Sequence, residues 1–127
     1  MRYIIDTQVF IWYALGDKQL SKSAIDIIES DALCYVSVAS IWEMAIKNSI
    51  GKLTFHVPFE ELIKEQLELN KYEILSIELA HVFHISNLPF HHKDPFDRIL
   101  IAQAVAENIP IISIDEYFHN YPVSVIW

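Results

Sequence analysis

Short apolar runs alternate with longer amphipathic segments along most of the chain. The apolar runs have the length of buried strands, and they are Arg2–Asp6, Ala32–Ser37, Tyr72–Ile77, Pro110–Ile114 and Val123–Trp127. Between them, apolar residues at helical spacing predict helices at residues 7–15, 21–30, 40–50, 59–69, 78–85 and 96–107. Strands that alternate with helices form βαβ units, in which helices cover both faces of a mainly parallel sheet. The predicted fold class is therefore α/β.

The length and composition of the chain fit one domain, spanning residues 1–127. The chain has 127 residues, 53% of them hydrophobic, with only 2 glycines and no linker-like stretch. No apolar run approaches the roughly 20 residues of a membrane helix, and the N-terminal run is too short for a signal peptide. The single cysteine, Cys34, excludes a disulfide framework and a cysteine-based zinc site. A cytoplasmic protein is expected.

The formal net charge of −8 argues against a nucleic-acid partner, because proteins that bind nucleic acids are usually basic. Six acids are concentrated in one segment, where solvated faces explain them: Glu60, Glu61, Glu65, Glu68, Glu73 and Glu78. Bound divalent cations would reverse the local field of any acidic site. The charge therefore weakens a nucleic-acid function without excluding it, and it suggests that a basic partner could dock.

Four acids lie where predicted strands end or where the following helices begin. Asp6 and Asp115 each end a strand, whereas Glu43 and Asp97 are predicted in the first turns of helices. In parallel α/β sheets, ligands bind at the carboxyl ends of the strands. We therefore expect all four carboxylates to face one edge of the sheet.

Each acid also has a structural explanation when it is taken alone. Asp6 can cap the first helix, and Glu43 fits the capping-box spacing from Ser40. Asp94 can be the N-cap of the last long helix, with Pro95 as its first residue and Asp97 in its first turn. Asp115 can cap a turn.

The combination of the four acids is harder to explain structurally. Like charges that converge in one pocket raise each other's pKa values and cost stability. Mg²⁺ prefers oxygen ligands and removes this repulsion. A carboxylate site of this kind can activate water and stabilise charge on a phosphoryl group, so it needs no side-chain nucleophile.

Several motifs resemble those of PIN-domain proteins, and most closely the VapC-type toxins of toxin–antitoxin pairs. They run through the chain in order and are Asp6–Trp12, Ser37–Glu43, Asp94–Ala104 with the preceding His91-His92-Lys93, and Ile114-Asp115. The resemblance implies a three-layer α/β/α fold and endonucleolytic cleavage of RNA with Mg²⁺ or Mn²⁺. It also implies a homodimer and an antitoxin partner. The family's acidic ligands map onto Asp6, Glu43, Asp97 and Asp115.

Neighbouring polar residues are candidates for supporting roles. Thr7 and Ser113 could hydrogen-bond the carboxylates of Asp6 and Asp115. Lys47 either pairs with Glu43 one helical turn away or contacts RNA phosphate. Arg98 either contacts phosphate or pairs with a nearby acid. Gln8 stands where similar sequences often carry His or Asn, which leaves its role open.

Other interpretations remain open at this point. His91 and His92 suggest a metal site or a general base, but a polar loop that presents the next helix is the favoured interpretation. A different phosphotransfer enzyme could use Asp6 as a nucleophile, although the second acid expected two residues later is absent. A non-catalytic binding or regulatory module with the same fold is the third alternative.

Overall fold

The computed structural model describes residues 1–127, with five strands and six α-helices. The strands are β1 (Arg2–Ile5), β2 (Leu33–Ser37), β3 (Glu73–Leu75), β4 (Ile111–Ile112) and β5 (Val125–Ile126). The helices are α1 (Thr7–Leu15), α2 (Lys22–Ile28), α3 (Val38–Ser49), α4 (Phe59–Leu69), α5 (Leu79–Ser86) and α6 (Pro95–Glu107). A 3₁₀-helix, Glu116–Asn120, lies between the last two strands. None of the helices combines the length and the apolar character needed to span a membrane.

All strand pairs are parallel, and the order across the sheet is β3-β2-β1-β4-β5. The chain thus builds outward from β1 to β3, then returns to place β4 on the other side of β1. Such a reversal leaves a crevice at the carboxyl ends of the two strands where the order changes. In this sheet, those strands are β1 and β4.

Both faces of the sheet are covered. Tyr3 and Ile5 point to one side, where they join a core formed with α1 to α4. Ile4 points to the other side, where it packs with Leu100 and Ile101 of α6. Alternation along a strand produces this division, and it confirms the predicted three-layer α/β/α fold with a parallel sheet.

The start of α3 differs from the prediction. Ser37, not Ser40, is its N-cap, and the Ser37 hydroxyl accepts a hydrogen bond of 3.1 Å from the backbone N–H of Ala39. The predicted capping box of Ser40 and Glu43 is therefore wrong. Glu43 is the sixth residue of the helix rather than a first-turn residue, so it projects from the second turn.

The remaining differences concern the ends of elements. β4 has two residues where five were predicted, because regular pairing ends at Ile112 and residues 113–115 lead into the 3₁₀-helix. Gly51 has a φ of 77°, and its N–H donates to the Asn48 carbonyl at the end of α3. β5 lies at one edge of the sheet and is confined to Val125–Ile126.

Candidate active site

The four predicted carboxylates line one pocket at the carboxyl ends of β1 and β4. The pocket has a volume of about 380 Å³. Its lining residues are Asp6, Thr7, Gln8, Glu43, Lys47, Asp94, Asp97, Ile114 and Asp115. Two of the four acids follow adjacent strands, and the other two project from α3 and α6. The fold therefore brings together acids that are up to 109 positions apart in the sequence.

Asp6 is the deepest of the four acids, with 6% of its surface exposed. It immediately follows β1, and its side chain makes no capping bond to α1. Its Oδ2 atom instead accepts a hydrogen bond of 2.7 Å from the Ser113 hydroxyl. The pKa of Asp6 is raised to about 6: burial is the main cause, the hydrogen bonds to the carboxylate oppose it, and the charges of Asp115 and Glu43 add to it.

Asp97 lies in the first turn of α6. Asp94 is the N-cap of this helix, as predicted, and its Oδ1 atom accepts hydrogen bonds from the backbone N–H groups of Phe96 and Asp97. The pKa of Asp97 is raised to about 8, mainly by burial and in smaller part by the charges of Asp6, Asp94, Glu43 and Asp115. Near neutral pH, the metal-free pocket thus retains a proton on a carboxyl group.

Glu43 is paired with a lysine of its own helix. Lys47 Nζ lies 3.2 Å from Oε2 of Glu43, and the side chain of Lys47 is 44% exposed. The predicted intrahelical pair is present. Because Lys47 also lines the pocket, its ammonium group is available to a ligand that enters from solvent.

Asp115 is the N-cap of the 3₁₀-helix, where its Oδ1 atom accepts a hydrogen bond of 2.9 Å from the Tyr117 N–H. Its Oδ2 atom lies 2.8 Å from Nε2 of His92. The same Nε2 atom is 3.0 Å from Oδ2 of Asp97. His92 therefore bridges two of the four acids, and the potential ligand atoms of these three residues lie within 4.8 Å of one another. The favoured sequence interpretation, a loop without a site role, missed this contact.

The supporting residues are placed differently from their predictions. The Thr7 hydroxyl donates to Oγ of Ser40 at 2.8 Å, so it connects α1 with α3 and bonds no carboxylate. Ser113 contacts Asp6 through its hydroxyl, whereas toward Asp115 this oxygen only accepts the backbone N–H at 3.0 Å. Strand alternation ends before Ser113, which explains why its side chain does not follow that of Asp115.

Arg98 is not at the pocket, which corrects both of its predicted roles. Only 6% of its surface is exposed, and its hydrogen-bond partners are backbone oxygens rather than acids. Its guanidinium group donates to four backbone carbonyls in the last turn of α5 and in the loop between α5 and α6, those of Ile85, Leu88, Pro89 and His92. It also lies 4.1 Å from the ring centroid of Phe90. Arg98 therefore fixes the loop that carries His92.

The donor set fits a hard divalent cation. All four acids offer oxygen atoms, which Mg²⁺ and Mn²⁺ accept, and the site contains no cysteine. Burial is the main cause of the raised pKa of Asp97, and repulsion from Asp6, Asp94, Glu43 and Asp115 adds to it. A cation would remove this repulsion. Asp6, Glu43, Asp97 and Asp115 are the residues that could hold it.

A family model for the PIN domain matches residues 3–123. The chain belongs to the PIN domain family. This agrees with the resemblance that the sequence motifs carry, and the match includes all four acids of the pocket. No curated protein sequence is significantly similar to the chain.

Solved structures similar to this PIN domain come from toxin–antitoxin complexes. VapBC2 from Rickettsia felis, bound to a promoter DNA fragment, has a TM-score of 0.74 at 14% identity, covering 99% of this chain and 98% of that chain. FitAcB from Neisseria gonorrhoeae has a TM-score of 0.69 at 17% identity, covering 98% of this chain and 96% of that chain. VapBC-1 from nontypeable Haemophilus influenzae has a TM-score of 0.65 at 15% identity, covering 99% of this chain and 97% of that chain. At these identities the likeness concerns the fold.

Proposed function

We propose that this PIN domain is a metal-dependent endoribonuclease and the toxin of a toxin–antitoxin pair. The observation that carries the proposal is the convergence of four carboxylates on one pocket at the reversal of the sheet order. Residues 1–127 act as one domain in this proposal. Because the substrate of such an enzyme is cellular RNA, we place it in the cytoplasm.

In this proposal Asp6, Glu43, Asp97 and Asp115 hold Mg²⁺ or Mn²⁺. The chemistry supplied by the bound cation is the activation of water for hydrolysis and the stabilisation of charge on the phosphoryl group. The protein contributes the geometry. Ser113 orients the Asp6 carboxylate through its hydrogen bond, and the N-terminal N–H groups of α6 and of the 3₁₀-helix fix Asp94 and Asp115.

Substrate binding must overcome the negative charge of the chain. Lys47 is the cation of the pocket lining, and its ammonium group is well placed to contact an RNA phosphate beside the carboxylates. The buried position of Asp6, and its hydrogen bond to Ser113, disfavour the alternative in which Asp6 is a nucleophile for phosphoryl transfer.

The partners follow from the same proposal. The matched structures are complexes of toxins with antitoxins, which supports an antitoxin as the partner of this chain. An apolar groove of about 300 Å³ lies between α3, α5 and α6, and half-exposed Trp42 and Val82 contribute to it. Exposed apolar surface of this kind supports the proposed homodimer.

The test is cleavage of a structured RNA by the purified protein with Mg²⁺, with Mn²⁺ and with EDTA. Asp6→Asn and Asp97→Asn are expected to lose activity by a factor of about 100 or more, because each removes a charged ligand. Asp26→Asn is the matched control, since Asp26 is exposed and pairs only with Lys22 on α2. It should cleave as the wild type does.

Each other outcome points to a different function. Cleavage that persists in EDTA, or in both site variants, would contradict the carboxylate mechanism. A protein that binds divalent metal and antitoxin but cleaves no RNA would favour the non-catalytic module. Trapping phosphate covalently on Asp6 would favour a phosphotransfer enzyme.

A further inference from the structure

His92 occupies the space between two of the proposed metal ligands. Its Nε2 atom lies 2.8 Å from Oδ2 of Asp115 and 3.0 Å from Oδ2 of Asp97. Its Nδ1 atom accepts a hydrogen bond of 3.2 Å from the backbone N–H of Asp94. Because Nδ1 is the acceptor, a neutral ring carries its proton on Nε2, the atom that faces the two carboxylates.

In this tautomer, Nε2 of His92 is a hydrogen-bond donor and not a metal ligand. A histidine coordinates a metal through an unprotonated nitrogen, whereas Nε2 of His92 presents an N–H group to carboxylate oxygens. Oδ1 of Asp115 already accepts the Tyr117 N–H, so Oδ2 is the oxygen of Asp115 left for a cation. The N–H group of His92 occupies both this oxygen and Oδ2 of Asp97 by hydrogen bonding.

From this geometry we propose that His92 is an internal competitor of the metal. Its imidazole N–H holds Asp97 and Asp115 together in the metal-free protein, and it must turn away when a divalent cation binds. His92 thereby lowers the affinity of the site for metal. The inference rests on the proposed metal site, and it adds a residue that regulates the occupancy of that site.

The surroundings allow the side chain to turn while its backbone stays in place. The His92 N–H donates to the Tyr121 hydroxyl at 2.8 Å, and the His92 carbonyl accepts from Arg98 at 3.2 Å. A cavity of about 310 Å³ adjoins the ring and is lined by His91, His92, Lys93, Asp94 and Tyr117. The displaced imidazole can move into this cavity without unfolding the loop.

The test compares metal binding by the wild type and by His92→Phe, using Mn²⁺ and Mg²⁺ in titration calorimetry. Phenylalanine keeps a ring beside Tyr117 and Phe118 but has no N–H group. We expect the variant to bind both metals about tenfold more tightly, because a hydrogen bond to a charged group no longer competes. Without metal, the melting temperature of His92→Phe should lie below that of the wild type. With saturating Mn²⁺, the difference in melting temperature between the two proteins should be smaller.

His91→Phe is the matched control, since His91 packs on Tyr121 and contacts neither carboxylate. Its metal affinity should equal that of the wild type. Weaker binding by His92→Phe would identify His92 as a ligand, and unchanged binding would reduce it to a structural contact; both results overturn the proposal. If the wild type and the variant both bind no metal, the proposed function itself fails.

A measurement on the wild type keeps the inference testable if His92→Phe does not fold. In nitrogen NMR of the histidine rings, His92 should carry its proton on Nε2 without metal and lose the protection of that proton when Mg²⁺ is added. A ring that becomes unprotonated at Nε2 on adding Mg²⁺ would show direct coordination and overturn the proposal. A ring that keeps its protected Nε2 proton with the site saturated would also overturn it.

Discussion

Ser113 donates a hydrogen bond of 2.7 Å to Asp6, although the two residues are 107 positions apart in the sequence. The bond joins the chain segments that follow β1 and β4, the two strands between which the sheet order reverses. The Ser113 oxygen also accepts the backbone N–H of Asp115. The buried hydroxyl group of Ser113 therefore links the carboxylate of Asp6 to the backbone of Asp115.

Replacing Ser113 with alanine should raise the pKa of Asp6 above its value of about 6, because the hydrogen bond opposes the effect of burial. Metal must then compete with a more tightly held proton. We expect Ser113→Ala to lower metal-dependent cleavage at neutral pH by a factor of about 10–100, the range for residues that support metal ligands. The pH profile of cleavage should shift toward higher pH.

Ser21→Ala is the control for this prediction. Ser21 also uses its hydroxyl as an acceptor, at the N-cap of α2, but it contacts no residue of the pocket. Its loss should cost about 1 kcal/mol of stability and leave the cleavage profile unchanged. A Ser113→Ala protein with the wild-type profile would show that the hydrogen bond does not tune Asp6.

The pKa of Asp97 predicts how the stability of the metal-free protein depends on pH. This pKa is raised from 3.8 to about 8 in the folded state, so the folded protein binds more protons than the unfolded chain between these values. The stabilisation is fully present below about pH 4 and is lost as the pH rises through 8. We expect the free energy of unfolding to fall by roughly 1 kcal/mol per pH unit in this window.

The measurement is the thermal melting of the EDTA-treated protein between pH 5 and pH 8. Its melting temperature should fall by about 4 °C per pH unit from this cause. The dependence should be weaker in Asp97→Asn, and it should also flatten in the wild type with saturating Mg²⁺. Asp26→Asn should retain the wild-type slope, and an equal slope in Asp97→Asn would assign the effect to another group.

The sequence predicted the elements of this fold better than it predicted their arrangement. Periodicity identified each strand and helix, because buried strands and amphipathic helices leave different apolar patterns. It contained no information on which strands pair, so the order across the sheet came only from the structure. The start of α3 was misassigned because Ser37 and Ser40 both fit an N-cap, and the choice between them depends on where β2 ends.

For the candidate site, the acids were more predictable than their partners. Asp6 and Asp115 follow apolar runs, so their position at strand ends could be read directly. The contact of His92 with Asp115 spans 23 positions and depends on a loop without periodic pattern. The adjacent histidines His91 and His92 did suggest a metal site or a general base, but the sequence favoured a polar loop that presents α6. The actual role of Arg98 could not be predicted, because its hydrogen bonds go to backbone carbonyls, which leave no pattern in the sequence.

Arg98→Lys should destabilise the protein by about 2–3 kcal/mol, since a lysine cannot reproduce a planar group that donates to four carbonyls. The loop between α5 and α6 should also exchange its amide hydrogens faster. Denaturant unfolding and hydrogen exchange measure the two effects. Arg2→Lys is the matched control, because Arg2 is exposed and makes one bond of 3.5 Å, so its cost should stay below about 0.5 kcal/mol. An Arg98 variant as stable as this control would contradict the positioning role.

Two tyrosine-to-phenylalanine substitutions should change stability in opposite directions. The buried hydroxyl of Tyr72 has no hydrogen-bond partner, so Tyr72→Phe should raise the free energy of unfolding by about 1 kcal/mol. The Tyr121 hydroxyl donates to the Pro89 carbonyl at 2.6 Å and accepts the His92 N–H at 2.8 Å. Tyr121→Phe leaves the buried His92 N–H unpaired and removes one of the two donors to the Pro89 carbonyl, so it should cost about 1–3 kcal/mol.

Denaturant unfolding of the metal-free proteins separates the two cases, because each variant removes the same oxygen atom from a buried aromatic ring. Only the hydrogen bonding of that oxygen differs between them. A Tyr72→Phe protein less stable than the wild type would mean that its hydroxyl binds an ordered water molecule. A neutral Tyr121→Phe would mean that Arg98 alone holds the loop, and in that case His92 should keep its contacts with Asp97 and Asp115 in the variant.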